Sequence, residues 1–348
     1  MGRKIRTRKI YYYEEEPDEV IDKKRVVYLL FLLLITGVML ATSTYAWFTT
    51  NRMVKVETLN VKVQSKGSLE ISVDGINWKA GIDQDELVAA RATYPSSVNQ
   101  LPLMIEPVST IGALDNQGHM NMYLREVRSN GGGDYILIST KSTETESSGE
   151  TSNGKFVVFD IFLKTTEAKD LYLTGKSNVT YNGTTSTGTE NAVRVAFVVE
   201  GNTSAGSSTS TIQSLSTTNQ DNVYIWEPNY NTHTKTGISN AKDVYNIITS
   251  ETNAQYISYD GVQSEISESE NITLKDSLAS RHPTKFSTVI PNIMTPTGST
   301  AYQKLISLAS GITKVRVYFW LEGQDVDCEN NASVGDLSFA LEFSTNPS

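Results

Sequence analysis

The residues best equipped for ion binding sit together near the C-terminus. In DVDCENNASVGD, Asp325, Asp327, Glu329 and Asp336 occupy positions 1, 3, 5 and 12 of the spacing used by calcium loops, where hard oxygen ligands surround the ion. Two departures weigh against that use. Asn330 stands where the turn glycine is needed, and Asp336 is shorter than the glutamate that normally closes such a loop with both oxygens. A strand-like run, where a helix is usual, precedes it. A solvated acidic turn is the simpler reading, and Ca²⁺ is the single cofactor these residues nominate. The three histidines, His119, His233 and His282, are far apart, each in polar company, and read as surface residues. No HExxH, CxxC, GxSxG or glycine-rich phosphate loop appears, so the sequence nominates no catalytic residue and the expectation is a protein that is not an enzyme.

The elements that would position these residues are β-strands. Apolar and polar side chains alternate in Leu59 to Gly75, Asp134 to Thr140, Lys155 to Thr165 and Asp170 to Gly175, the period of a half-buried strand. Asp74-Gly75, Asn130-Gly131 and Asn182-Gly183 supply turns that need a positive φ. Short strands with such turns predict an all-β fold, an antiparallel β-sandwich of jelly-roll-like kind. Segments rich in Ser, Thr, Gly and Asn, at 142–153, 174–191 and 202–219, read as exposed loops. A partly helical insertion is expected near 239–308. Ser239 would cap a helix with Ala241, Val244, Ile247 and Ile248 on one stripe, a second short helix would cover Thr300 to Leu308, and the polar segment Asp260 to Arg281 between them would be mostly loop.

One internal echo stands out. VRVAFVVEG at Val193 to Gly201 matches VRVYFWLEG at Val315 to Gly323 in six of nine positions. Each copy is apolar enough for a buried strand, and the pair reads either as equivalent strands of two related halves or as convergent strand chemistry. Cys328 is the single cysteine, which excludes an intramolecular disulfide; it reads as a small core residue, with pairing between chains as the alternative.

Ahead of the β pattern, Val26 to Phe48 is uncharged over 23 residues, enough for a helix to cross a hydrocarbon core about 30 Å thick. Eight basic residues precede it, which orients residues 1–25 as a cytoplasmic tail, 26–48 as a transmembrane helix or signal h-region, and 49–348 as an extracellular region. Thr44 and Ala46 place small residues three and one before a cut between Ala46 and Trp47, as a signal peptidase requires. Tyr45, Trp47 and Phe48 equally suit the interface of a retained anchor, so both readings stay open. Removing residues 1–48 takes away 8 of 30 basic and 6 of 39 acidic side chains and leaves 22 against 33, a net charge of −11. That balance disfavours nucleic acid and anionic lipid as partners of the body.

At TSTYAWFTTNRMVKVETLNVKVQ, Thr42 to Gln64, the chain resembles the TasA/camelysin family of exported matrix-fibre proteins of Gram-positive bacteria. The resemblance covers about 25 residues around the export junction. It implies cutting by a SipW-type signal peptidase near Ala46, a jelly-roll-like body, and a place in a biofilm matrix or on the cell surface. The cytoplasmic tail is longer and the body larger than the family pattern. The peptidase activity associated with camelysin-like proteins is not carried over, since no zinc-ligand pair or nucleophile constellation matches. The residues themselves suggest two roles. A freed N-terminal strand, with Val54, Val56, Leu59, Val61 and Val63 as its apolar side chains, could add to the open sheet edge of another copy and build fibres; its simpler alternative is the first strand of its own sandwich. A membrane-anchored binding or adhesion module, contacting wall polymer, glycan or protein through its loops, is the second.

Overall fold

The computed structural model describes residues 23–49, 54–63, 69–130, 134–146, 153–182, 188–243, 245–246, 259–275, 277–328 and 336–347. The chain divides into two units, 1–46 and 47–348. Helix α1, Lys23–Thr49, carries the apolar run, and Ala46 and Trp47 both fall within it. Its side chains are described over 24–37, where Tyr28, Leu29 and Leu33 are exposed. Among the described residues no helix is long and apolar enough to cross a membrane. A span takes about 20 apolar residues, more than that stretch of side chains, and the apolar sequence itself continues to Phe48.

The second unit is mostly β and rests on two sheets. Their principal strands are β1 (Val54–Val63), β2 (Glu70–Ser72), β3 (Val157–Thr165), β4 (Lys169–Leu173), β5 (Asn178–Tyr181), β6 (Val193–Thr203), β7 (Val223–Pro228), β8 (Ile293–Thr295), β9 (Gln303–Leu308), β10 (Gly311–Leu321) and β11 (Asp336–Ser344). One sheet runs β8-β7-β6-β10-β3-β2. The other runs β9-β4-β11-β1, extended by the short strands Met104–Ile105 and Asn153–Gly154, with β5 also on β11.

Alternation explains how the sheets meet. Val193, Val195 and Phe197 of β6, Val315, Val317, Phe319 and Leu321 of β10, and Val157, Phe159, Ile161 and Leu163 of β3 point into a core shared with Leu171, Leu173, Leu337, Phe339, Leu341 and Phe343 of the facing sheet. Aromatic pairs cross the gap, with Phe319 and Phe339 at 4.8 Å between ring centres and Phe197 and Phe343 at 6.1 Å. Cys328 is buried in this core. All eleven residues of β10 are buried, because its other face is covered as well. There Tyr318, Trp320, Ala196 and Val198 pack under Val108, Met120, Met122 and Tyr259. That second layer comes from a three-stranded sheet, Val108–Ser109, Tyr123–Ser129 and Tyr135–Lys141, and a hairpin of Tyr259–Val262 and Phe286–Val289.

Several expectations change. The sheets are mixed: β1 runs parallel to β11, β7 parallel to β8, and Met104–Ile105 parallel to Asn153–Gly154. The helix foreseen from Ser239 lies instead over Lys235–Asp243, because Thr234 accepts from Gly237 N at 2.9 Å and starts it a turn earlier. Ala241 is buried as expected, while Val244, Ile247 and Ile248 lie outside the described residues. No helix covers Thr300 to Leu308. Its second half is β9, paired antiparallel with β4, and Leu305, Ile306 and Leu308 go into the core. Asp260 to Arg281 is mostly loop among its described residues, as expected, yet it holds part of the hairpin and buries Ile266, Ile272, Leu274 and Leu278.

The two echo copies are immediate neighbours. Strands β6 and β10 pair antiparallel at the middle of one sheet, with Val193 opposite Leu321, Val195 opposite Phe319 and Phe197 opposite Val317. They therefore belong to one sandwich. A bulge between Val199 and Gly201 lets Glu200 leave the regular ladder.

Strand β1 lies within its own sheet. Val56, Leu59, Val61 and Val63 register with Leu337, Phe339, Leu341 and Phe343 of β11, and Val54 pairs with Ile105. The apolar residues change phase between Val56 and Leu59. The irregularity between Val56 and Thr58 absorbs that extra residue and keeps both halves in register with the core positions of β11.

Candidate functional site

The echo motif places an arginine second and a glutamate eighth in each copy. Antiparallel pairing then brings the arginine of each strand beside the glutamate of the other, once at each end of the strand pair. Both groups lie on the face turned away from the sandwich core, under the covering layer, where charge must be matched to be tolerated.

At one end, Arg316 is the hub. Its Nε donates to Asp160 Oδ1 at 2.9 Å, and its Nη1 lies 3.2 Å from Glu200 Oε1 and 3.5 Å from Glu146 Oε2. Asp160, on β3, also takes Tyr94 OH at 2.9 Å and lies 3.3 Å from Lys314 Nζ. Lys314 Nζ donates in addition to the carbonyls of Gln213 and Leu215. Tyr318 donates to Glu146, and half-buried His119 reaches the same carboxylate at 2.9 Å through Nε2. Burial pushes the Asp160 carboxyl up, but Arg316 and Lys314 outweigh it and hold its pKa below the usual value. Glu200 is less well compensated, and burial pushes its pKa up to about 7. Glu146 is raised for the same reason.

At the other end, Arg194 Nη2 lies 2.6 Å from Glu227 Oε1 and donates to Asp325 Oδ2 at 2.8 Å, while Nη1 donates to the carbonyls of Asn191 and Val193. The guanidinium also stands over the Tyr259 ring at 5.3 Å. Glu322, the echo partner, is fully buried and accepts from Trp320 Nε1 at 3.1 Å and Gln324 N at 3.0 Å. Burial pushes its pKa up to about 7. Asp325 Oδ1 accepts from Asp327 N at 2.9 Å, which links this group to the next carboxylate.

Asp327 is the most heavily engaged acid of the turn. Its oxygens accept from Thr234 N at 2.9 Å, Thr234 Oγ1 at 2.7 Å and Asn191 Nδ2 at 3.1 Å, and His233 Nδ1 sits 2.9 Å away. The His233 side chain is 2% exposed. Burial pulls its pKa down, yet the hydrogen bond to Asp327 and the charges of Asp325 and Asp327 more than reverse this and raise it.

Of the four residues in the calcium spacing, the structure brings together Asp325 and Asp327 and buries both, so a solvated acidic turn is incorrect for them. Asp336 begins β11, where its backbone pairs with Lys55, and Glu329 lies outside the described residues. His233 is likewise no surface residue. His233, Asp325 and Asp327 do bring three ligand-type atoms within 4.8 Å of one another. The oxygens of Asp325 and Asp327 already take hydrogen bonds, however, and the Arg194 guanidinium 2.8 Å from Asp325 repels a second cation. The set fits an imidazole–carboxylate–guanidinium network better than a calcium site, which takes six to eight free oxygens.

These groups act on the fold. Asp160, Arg316 and Glu200 tie β3, β10 and β6 together, while Arg194, Glu227 and Asp325 tie β6, β7 and the turn after β10. Apart from Asp325, the sequence nominates none of them, since a lone charged residue inside an apolar run reads as the solvent side of a strand. The repeated Arg and Glu of the echo were the available signal. No protein-family description, curated protein or solved structure matches this chain.

Proposed function

We propose that the chain is a non-enzymatic, exported structural protein of the TasA/camelysin kind, placed on a cell surface or in a biofilm matrix. In this reading the N-terminal apolar segment holds it in the membrane until a signal peptidase cuts between Ala46 and Trp47. Its jelly-roll-like body is extracellular, and copies join by strand addition. The observation that supports it is the pairing of β1 with β11. Eight residues of β1, the first strand after the export junction, register along one edge of the C-terminal strand. Withdrawing β1 would uncover that whole edge, and the β1 of another copy carries the same residues in the same register.

Intact mass and N-terminal sequencing of the protein from its native surface, with negative-stain microscopy of the same material, test this. The expected result is a chain beginning at Trp47 that forms filaments, with filaments lost when Val61→Pro removes a ladder hydrogen bond. A chain that keeps Met1 in the membrane fraction, without filaments, refutes it and leaves an anchored surface module.

A further inference from the structure

A groove of about 690 Å³ opens beside β5, and its walls mix polar and apolar residues. Hydroxyls and amides line part of it, among them Asn178, Thr180, Asn191 and Thr297, beside the apolar Val179, Trp226, Pro228 and Pro296. Tyr181 offers a half-buried ring, and among the described lining residues Glu190 alone is charged. No lysine or arginine is among the described residues that line it.

The walls are tied to one another. Asn229, at φ 57°, donates through Nδ2 to the carbonyls of Val179 at 2.9 Å and Glu190 at 3.3 Å. Trp226 Nε1 donates to Thr295 Oγ1 at 2.9 Å, Thr297 N donates to Asn231 Oδ1 at 2.8 Å, and the hydroxyls of Thr232 and Thr297 meet at 2.6 Å. Gly175 closes one side, where a Cβ would lie 2.4 Å from Thr300 Cα. The groove is therefore pre-formed and needs little ordering to receive a ligand.

We propose that this groove binds a neutral, hydroxyl-rich polysaccharide chain. Hydroxyl and amide walls match sugar hydroxyls as donors and acceptors, and the Tyr181 ring supplies a surface for the apolar face of a pyranose. The carboxylate of Glu190 and the acidic body repel a polyphosphate or other polyanion, and no cation among the described lining residues offsets them. A peptide strand is the less suitable occupant. Such a strand needs an open main-chain edge and apolar side pockets, whereas the Val179 carbonyl on the β5 edge is taken by Asn229. The site does not depend on strand addition between copies and stands apart from that proposal.

The test is calorimetry on the full chain in detergent with three neutral hexasaccharides, chitohexaose, cellohexaose and maltohexaose, and with polyglutamate as the polyanion. Binding of at least one hexasaccharide, with none of polyglutamate, is expected. Tyr181→Ala should weaken it by about tenfold. Because Tyr181 also packs on the core, Thr180→Arg is the second variant: its side chain is exposed, so melting should be unchanged while binding falls. Failure of all three sugars, binding untouched by Thr180→Arg, or preference for polyglutamate overturns the proposal. A change in sedimentation with Thr180→Arg and no sugar binding overturns it in favour of contact between copies.

Discussion

Arg316 and Glu200 meet at 3.2 Å across the β6–β10 pair, and each belongs to a different copy of the same nine-residue motif. Glu322 stands in the equivalent position beside Arg194: it lies two residues beyond Trp320, the registered partner of Arg194, as Glu200 lies two beyond Val198, the partner of Arg316. The echo is thus a device for placing one buried arginine at each end of a central strand pair and surrounding it with acids.

Removing a hub strands those acids. Arg316→Leu leaves Asp160 and Glu200 buried with Lys314 as the remaining close cation, and is expected to lower stability by about 3–5 kcal/mol. Urea unfolding followed by tryptophan fluorescence checks it. Glu200→Gln, which keeps the shape and removes one excess acid, should fall well short of that loss.

The raised acids set a pH dependence. Glu200 and Glu322 have pKa values of about 7 in the fold against 4.5 in the open chain, so between those values the folded form holds more protons. Stability must then fall as pH rises from about 4.5 to 7. His233, also raised, continues the fall above its open-chain value of 6.5. Asp160, whose pKa is lowered, acts in the opposite sense and withdraws stability as pH drops below 3.8. Melting midpoints should peak at mildly acidic pH, and the double variant Glu200→Gln, Glu322→Gln should flatten the decline. A midpoint that climbs from pH 5 to 7 contradicts this assignment.

The His233–Asp327 contact is testable alone. Asp327→Ala leaves Thr234 N, Asn191 and the imidazole without their shared acceptor in a dry site, and about 2–4 kcal/mol of stability should be lost in denaturant titrations. Since the oxygens of Asp325 and Asp327 are already engaged, millimolar CaCl₂ should leave the melting midpoint of the parent protein where EDTA leaves it. A clear rise with calcium would show that the turn opens to coordinate the ion.

Gly175 tests the link between the two walls of the groove. An alanine methyl would collide with the Thr300 backbone, which has no flexible tip to give way. Gly175→Ala is expected to cost about 1–3 kcal/mol, read as a lower melting midpoint.

Much of the sandwich is legible in the sequence because strand period and turn chemistry are local. Lys155 to Thr165 and Asp170 to Gly175 became β3 and β4 almost as written. The segment Thr300 to Leu308 misled because Leu305, Ile306 and Leu308 suit a helical stripe or a strand, and only the waiting edge of β4 decides. The phase change between Val56 and Leu59 was visible, yet its meaning as a bulge needs the partner β11. The charged networks were hidden for a different reason. Whether Arg194 faces water depends on a covering layer contributed by residues 108 to 141 and 259 to 289, which no local window contains.

The parallel union of β1 and β11 also imposes an order on folding. It joins Lys55 to Asp336, residues near the two limits of the second unit, in the interior of one sheet. A chain emerging from its N-terminus carries β1 without this partner until the segment from Lys55 to Asp336 has appeared. Such a long closure is intrinsically slow. Until then the main-chain groups of β1 have no β11 to pair with, so this half of the sheet is completed late.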